Sequence, residues 1–490
     1  MNRGSLRLFA LVMATSVGAA AIDDPIPWPG GQPPGELELA EQVHAALDLG
    51  ELETAEDFLE ATERGEDREH ITVFQDDIDE GLYSNERLFA FGDSLFGHEF
   101  RLDDGLGASP SLGPLARVHT GVRGGLDTFS CAGCHSVGGP DGAGGLTQNA
   151  LLEGDGDRAG TAIERNAPAL LGLGFVQLLG LEMSEELQRQ RRSVIEEARV
   201  TGRAASGPLV AKGIDFGMVR AQPGGAVDTS AVQGVASDLV VRPFGWKGTE
   251  SHLRRFVEDA ARVHFGIQST VLAERNRTSP DPHRLGAASL WFDPDGDGKS
   301  REIEEGTLTA TAVYLSMLES PVILPPNAPG LRQRWAQGST LFDGVHCGSC
   351  HTRELPLRGS ELREAPDTTD GPGVLVDLYA DGEKPKPGVQ VRLFSDLKRH
   401  DMGPGLADSR VGSDGVPRAV FLTRPLWGLA ESAPYLHDGR ATTIPEAILA
   451  HGGEAQASRD AFSALPAEAQ ADLHVFLLSL SRMPKPRVAR

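Results

Sequence analysis

Cysteine is scarce in this chain, four among 490 residues, and all four fall in two Cys-x-x-Cys-His strings: Cys131-Ala-Gly-Cys134-His135 and Cys347-Gly-Ser-Cys350-His351. None is left over for a structural bridge, which excludes a disulfide-stapled scaffold. Positive charge is in deficit: 46 Lys and Arg face 70 Asp and Glu, for a formal net charge of −24. Nucleic acid and anionic lipid both select basic patches, so neither is an expected partner. Long apolar runs are missing beyond the first residues, and no later segment is long enough to cross a membrane. No βαβ pattern surrounds either cysteine pair, which argues against a thioredoxin-like redox pair.

What is present begins with an N-terminal address. Arg3 and Arg7 precede an apolar run from Leu8 to about Ala21 that ends in Gly18-Ala-Ala-Ala21. This is the pattern of a secretory signal peptide over residues 1–21. The run falls short of the ~20 residues that a membrane span needs, which disfavours the alternative of an uncleaved anchor helix. The mature protein is therefore expected to be periplasmic or otherwise exported, with no stable membrane span after cleavage. With 40% hydrophobic residues, the chain can bury a sizeable core, and its length suggests two or three domains.

Each Cys-x-x-Cys-His string supplies what covalent haem needs. Two thiols about one helical turn apart meet the two vinyl groups, and the adjacent imidazole reaches the iron from the same side. One chance occurrence has a probability on the order of 10⁻³, and two that consume every cysteine are far rarer. A zinc site of four thiolates is the competing reading, but zinc requires no His after each pair. The prediction is two covalently bound haem c groups, on Cys131, Cys134 and His135 and on Cys347, Cys350 and His351.

Residues 22–75 are rich in Pro, Gly and acidic side chains and read as an N-terminal extension, with helical pattern only around Leu37–Glu63. The remainder carries a weak internal repeat. After the first haem string come Arg165-Asn-Ala-Pro168, Phe244-Gly-Trp246-Lys-Gly248 and an amphipathic helix from about Glu250 to His264-Phe-Gly266. After the second come Arg424-Pro-Leu-Trp-Gly428, Tyr435-Leu-His437-Asp-Gly439 and a helix from about Ile444 to His451-Gly-Gly453. Each haem module thus ends with a helix that delivers a His. The first module is expected over 76–325, with an insertion over 175–243 that opens with a helix at Glu182–Val200 and continues as Gly-rich hairpin segments. A Pro-rich linker at 320–330 leads to the second module over 326–490, which begins with a helix at Leu331–Leu341.

These strings resemble the di-haem cytochrome c peroxidase superfamily and, within it, the di-haem oxidoreductases described as thiol oxidoreductase-like. The resemblance covers roughly residues 80–482. It rests on Glu164-Arg-Asn-Ala-Pro168, Arg242-Pro-Phe-Gly-Trp246-Lys, Phe394-Ser-Asp-Leu-Lys-Arg-His400-Asp-Met402-Gly and, above all, the Ala-Pro-Tyr-Leu-His437-Asp-Gly439 string. It implies a mainly α fold in which two cytochrome c-like haem domains face each other, with an N-terminal extension and short hairpin insertions. It also implies that the sixth ligand of the second haem stands 14 residues after His437, which is His451 where the peroxidases usually carry Met. Imidazole in place of thioether lowers the expected reduction potential. Met402 is the rival ligand. The same comparison puts an inter-haem Trp at Trp246, and sets His264 where the peroxidases carry a catalytic Glu. His264 is therefore read as a distal acid/base, as a ligand that closes the first haem, or as a packing residue. His437 has either a functional role beside the second haem or a structural one.

Asp293-Pro-Asp295-Gly-Asp297-Gly298, followed by Glu304, fits the twelve-residue calcium loop over 293–304; the alternative is an acidic turn capping a helix at Thr307–Leu318. The functional expectation is a peroxidase-like di-haem oxidoreductase. A small redox protein, a cytochrome or a cupredoxin, would donate electrons to haem 2, and peroxide or another small oxidant would react at haem 1. The alternatives are a non-enzymatic di-haem electron carrier, or an enzyme that oxidises an organic or protein substrate.

Overall fold

The computed structural model describes residues 72–482, apart from most of 102–125, residue 268, residues 272–301, residue 321, residues 367–371 and residues 379–388. The expected signal peptide, nearly all of the extension, and Asp293, Asp295 and Asp297 lie outside the described residues. Helices α1 (Gln75–Asp79), α2 (Asn85–Gly97), α3 (Cys131–Cys134), α4 (Leu173–Thr201), α5 (Leu253–Ala260), α6 (Glu305–Met317), α7 (Pro329–Gly344), α8 (Ile444–Ala450), α9 (Gln456–Ser463) and α10 (Ala467–Leu478) carry the cores. Strands are short and lie in sheets of two or three. Among the described residues, no helix is long and apolar enough to cross a membrane.

The larger core forms where α2, α4 and α6 meet, around Leu88, Leu179, Met183, Val313 and Leu315. Leu173 to Gly180 of α4 are buried on every side, so this stretch shows no amphipathic period; the later turns are half exposed. The hairpin Ala205–Ala211 and Ile214–Ala221 folds back on α4, with Leu209, Phe216 and Val219 buried against it. α4 therefore begins about nine residues before the expected Glu182, and its first turns belong to the core and not to an insertion.

The second core gathers α7, α9 and α10 around Phe342, Phe394, Phe462 and Phe476. The Phe342, Phe394 and Phe476 rings pack edge to face at 5.5 to 6.1 Å. Pro329 opens α7, where its fixed φ suits the first turn and its missing N–H costs nothing. The expected linker is partly sheet, since Val322–Ile323 pair with Leu480–Ser481. The expected boundary at 325/326 does not divide the two cores. Leu355, Leu357, Leu362, Val374, Val376 and Val391 pack in the first core although they follow the second haem string. Their strands are three or four residues long, too short for a period-2 pattern to announce which face they bury.

Candidate functional site

α3 is a single turn that presents the first string. Ser130 caps it, its hydroxyl accepting from the Gly133 N–H at 3.1 Å. Cys131 packs against both the main core and the small cluster of Phe100, Phe265 and Ile267. The His135 Nδ1 lies 3.0 Å from the Pro168 carbonyl and 3.2 Å from that of Gly142, so the ring donates from Nδ1 and turns its Nε2 lone pair away. Burial first of all, with repulsion from His264 and Arg424, holds the imidazole down to about 4, so it stays neutral. A neutral imidazole fixed at one nitrogen by a carbonyl is the form that ligates metal.

The second string repeats the device. The His351 Nδ1 donates to the Phe394 carbonyl at 3.0 Å, and burial with repulsion from His451 lowers its pKa to about 4. His451 ends α8, whose start carries a capping box of Thr443 and Glu446. Its Nδ1 donates to the Ala447 carbonyl at 2.7 Å, one turn back, and burial lowers its pKa as well. Cys347, Cys350, His351 and His451 line one cavity of about 290 Å³, otherwise largely apolar. Two thiols, two neutral imidazoles with Nε2 unengaged and an apolar wall fit a haem at this place. Burial pushes the Cys347 thiol up to about 11 and that of Cys131 up to about 12. None of the four cysteines is in a disulfide, and among the described residues the four thiols do not gather into one metal-binding group, as the four-thiolate zinc alternative would require.

Met402, the rival ligand, also lines the cavity. Gly452 permits this: a Cβ there would meet the Met402 carbonyl at 2.9 Å, so the two segments touch only because glycine follows His451. His400 lies between Asp396 at 2.9 Å and Glu454 at 2.7 Å. Burial opposes its charge, yet Asp396 and the nearby Cys350 thiol hold the imidazole up to about 11. Cys350, Asp396 and His400 are near enough to form a metal-binding group, though Cys350 as a thioether would not belong to it.

Asn166 joins the two halves. Its N–H donates to the His437 carbonyl at 2.7 Å, and its own carbonyl accepts from Trp246 Nε1 at 2.8 Å. Two residues on, the Pro168 carbonyl holds His135, and just before it Arg165 makes a two-pronged ion pair with Asp408 at 2.7 and 2.8 Å. The Arg-Asn-Ala-Pro string therefore ties His135, Trp246 and His437 into one framework. Trp246 and His437 stand 6.4 Å apart, ring to ring, and both line the cavity. His437 is stacked on Phe421 at 4.3 Å, and burial, with opposition from Arg165, lowers its pKa to about 4. Asp408 also takes Lys247 at 2.9 Å, and all three charges are nearly buried.

His264 lies in a π-helical turn, Ala261–Phe265, that continues α5. Its Nδ1 is 2.7 Å from an Asp127 carboxylate oxygen, and Asp127 takes His119 at 3.1 Å from the other side. Asp127 is buried, which alone would raise its pKa; hydrogen bonds from His119 and His264 outweigh that and hold it at about 2. His264 is one-third exposed and lies within electrostatic reach of His135, on the first motif's side of the fold. His119 and Asp127 carry no sequence signal beyond a carboxylate four residues before Cys131. Glu304 stands at the N-cap of α6, and the other residues of the expected calcium loop, Asp293, Asp295 and Asp297, lie outside the described residues.

Residues 322–480, roughly a third of the chain, match the family model described as "Di-haem oxidoreductase, putative peroxidase". That family implies haem as cofactor. Among solved structures, the chain is similar to the diheme peroxidase BthA from Burkholderia thailandensis, at 16% identity, covering 81% of this chain and 86% of that one, with a TM-score of 0.37. A MauG-like protein associated with microbial copper homeostasis shares 17% identity over 52% of this chain and 77% of that one, TM-score 0.27. Hydrazine synthase from Kuenenia stuttgartiensis shares 21% over 39% and 60%, TM-score 0.23. Likenesses this loose carry no argument. Among curated proteins there is no significant match.

Proposed function

We propose that the protein is an exported di-haem c-type oxidoreductase of the peroxidase type. Two haem modules would face each other, and electrons would pass from the site of Cys347, Cys350, His351 and His451 toward an oxidant at the site of Cys131, Cys134 and His135. The observation that carries the reading is common to His135, His351 and His451. Each gives its Nδ1–H to a backbone carbonyl and keeps Nε2 free as a neutral ligand. Haem iron, when bound, supplies the chemistry of peroxide reduction.

The chain's own residues do the rest. Asp127 fixes the His264 tautomer with the proton on Nδ1, so Nε2 is the basic atom. It can take up a proton from a peroxide and return it to the departing oxygen, a cycle that suits imidazole near neutrality. The Asp127 carboxylate, ionised at any pH above about 2, stabilises the imidazolium that forms meanwhile. Trp246, held by Asn166 and lining the cavity beside His437, would serve as the relay. The chain's net charge of −24 suits a small basic cytochrome or cupredoxin as donor.

The Asp127 contact also fits a second reading, because a ligating His commonly gives its other N–H to a carboxylate. His264 would then close the first site, and the protein would be an electron carrier. Stopped-flow spectroscopy of the half-reduced holoprotein separates the two. Peroxide should oxidise it rapidly, and His264→Ala should slow that step by roughly 10²–10⁴-fold. A carrier would be inert to peroxide, and His264→Ala would open it to carbon monoxide.

A further inference from the structure

A phenol lies behind the first haem motif. Tyr314 of α6 is 3% exposed, and its hydroxyl donates to Asp141 Oδ1 at 2.6 Å; Asp141 is 5% exposed. The Phe96 ring stands 5.5 Å from that of Tyr314 and 6.0 Å from that of His135, so one apolar ring separates phenol from imidazole and excludes water between them. α2 reaches α6 closely enough because residue 92 is glycine: a Cβ there would collide with the Ala310 carbonyl and with Tyr314 Cβ. Asp141 has φ of 59°, a left-handed conformation that costs a non-glycine residue energy. Its loop is pinned on both sides, by the Val137–Ala143 bridge and by the Leu170 N–H donating to the Asp141 carbonyl. The strain is spent on bringing a carboxylate to the phenol.

We propose that Tyr314 is a one-electron redox site paired with Asp141 as its proton acceptor, storing an oxidising equivalent one aromatic ring away from His135. The step is balanced within the pair. Tyr314 gives one electron to a one-electron oxidant, the oxidised redox centre at His135, which is reduced by one. The phenolic O–H bond breaks, the proton forms a new O–H bond on Asp141 Oδ1, and a neutral phenoxyl faces a neutral carboxylic acid. No charge is created in the buried site, and that makes the step feasible where a bare phenol cation would be costly. Burial and surrounding carboxylates keep the resting phenol protonated. The other described tyrosines differ. Tyr435 donates to the Leu429 carbonyl, which cannot take its proton, and Tyr83 meets Asp77 at 3.2 Å in a less buried setting.

The proposal rests on reading His135 as the ligand of a redox centre, and the test separates the two. Holoprotein grown with ring-deuterated tyrosine is oxidised in two arms, by peroxide and by a flash-generated ruthenium(III) polypyridyl complex, then frozen and read by EPR. A tyrosine radical is expected in both arms. Tyr314→Phe, which removes only a hydroxyl, should lower its yield at least tenfold, as should Asp141→Asn. A yield unchanged in Tyr314→Phe under the ruthenium oxidant, or no tyrosine radical at all there, overturns the proposal, whatever peroxide does. A Tyr314-dependent radical with ruthenium in a holoprotein that peroxide does not oxidise upholds the proposal and refutes the peroxidase reading.

Discussion

Asp127→Asn is the perturbation that exposes the first site most sharply. The carboxylate serves two imidazoles at once, His119 at 3.1 Å and His264 at 2.7 Å, and it is almost wholly buried. Asparagine keeps the shape but offers one acceptor oxygen, so one of the two ring N–H groups faces an amide N–H. The cost is one charged hydrogen bond plus an unsatisfied donor, about 2–3 kcal/mol. The pH dependence gives a second reading. The folded pKa of Asp127 is about 2, against an ordinary carboxyl value of 3.8. A carboxylate depressed on folding contributes stability that is full above the unfolded pKa and is lost as pH falls through the folded one. The wild type should therefore lose roughly 2 kcal/mol from this group between about pH 4 and pH 2, a component missing in the variant. Guanidinium unfolding of the holoprotein at pH 7, 4 and 2.5 measures both. With the His264 tautomer no longer fixed, peroxide reactivity should also fall, by at least tenfold. A variant equal to wild type in stability at pH 7 and in peroxide rate would refute the role given to Asp127.

Asp408→Ala strands Arg165 and Lys247 in a buried site and should cost about 3 kcal/mol, the lower end for a broken buried pair, because three carbonyls still hold Lys247; chemical unfolding reads it. Glu364 is 1% exposed, and burial raises its carboxyl to about 7, so its contribution declines as pH rises from about 4.5 through 7. Glu364→Gln should accordingly be more stable than wild type at pH 8 and show no such decline in a pH series of melts. His451→Gly should turn the second haem five-coordinate or water-ligated with its covalent link intact; an unchanged low-spin EPR signal would hand the position to Met402. Calorimetry on chelator-stripped protein tests the loop at 293–304, where calcium should release heat and Asp295→Asn should weaken it.

The parts legible in sequence are those whose signal is local. A Cys-x-x-Cys-His string is five residues long, and the helix that delivers His451 announces itself by Thr443, Pro445 and Glu446 at its start. The Arg-Asn-Ala-Pro string was legible as a motif, but its reason was not, because the groups it holds, Trp246, Asp408 and His437, come from far along the chain. Asp127 and His264 are 137 residues apart and Tyr314 and Asp141 are 173 apart, with no periodicity to link them. The start of α4 was missed for a different reason. A helix buried all round has no polar face, and Leu173 to Leu179 reads as well for a core strand as for a helix.

Intact-mass spectrometry of the purified chain after acid-acetone extraction tests the central claim most directly. The account predicts a gain of two haems that survives extraction, and peptides carrying one each on Cys131–Cys134 and on Cys347–Cys350. A gain of one haem or of none would contradict it.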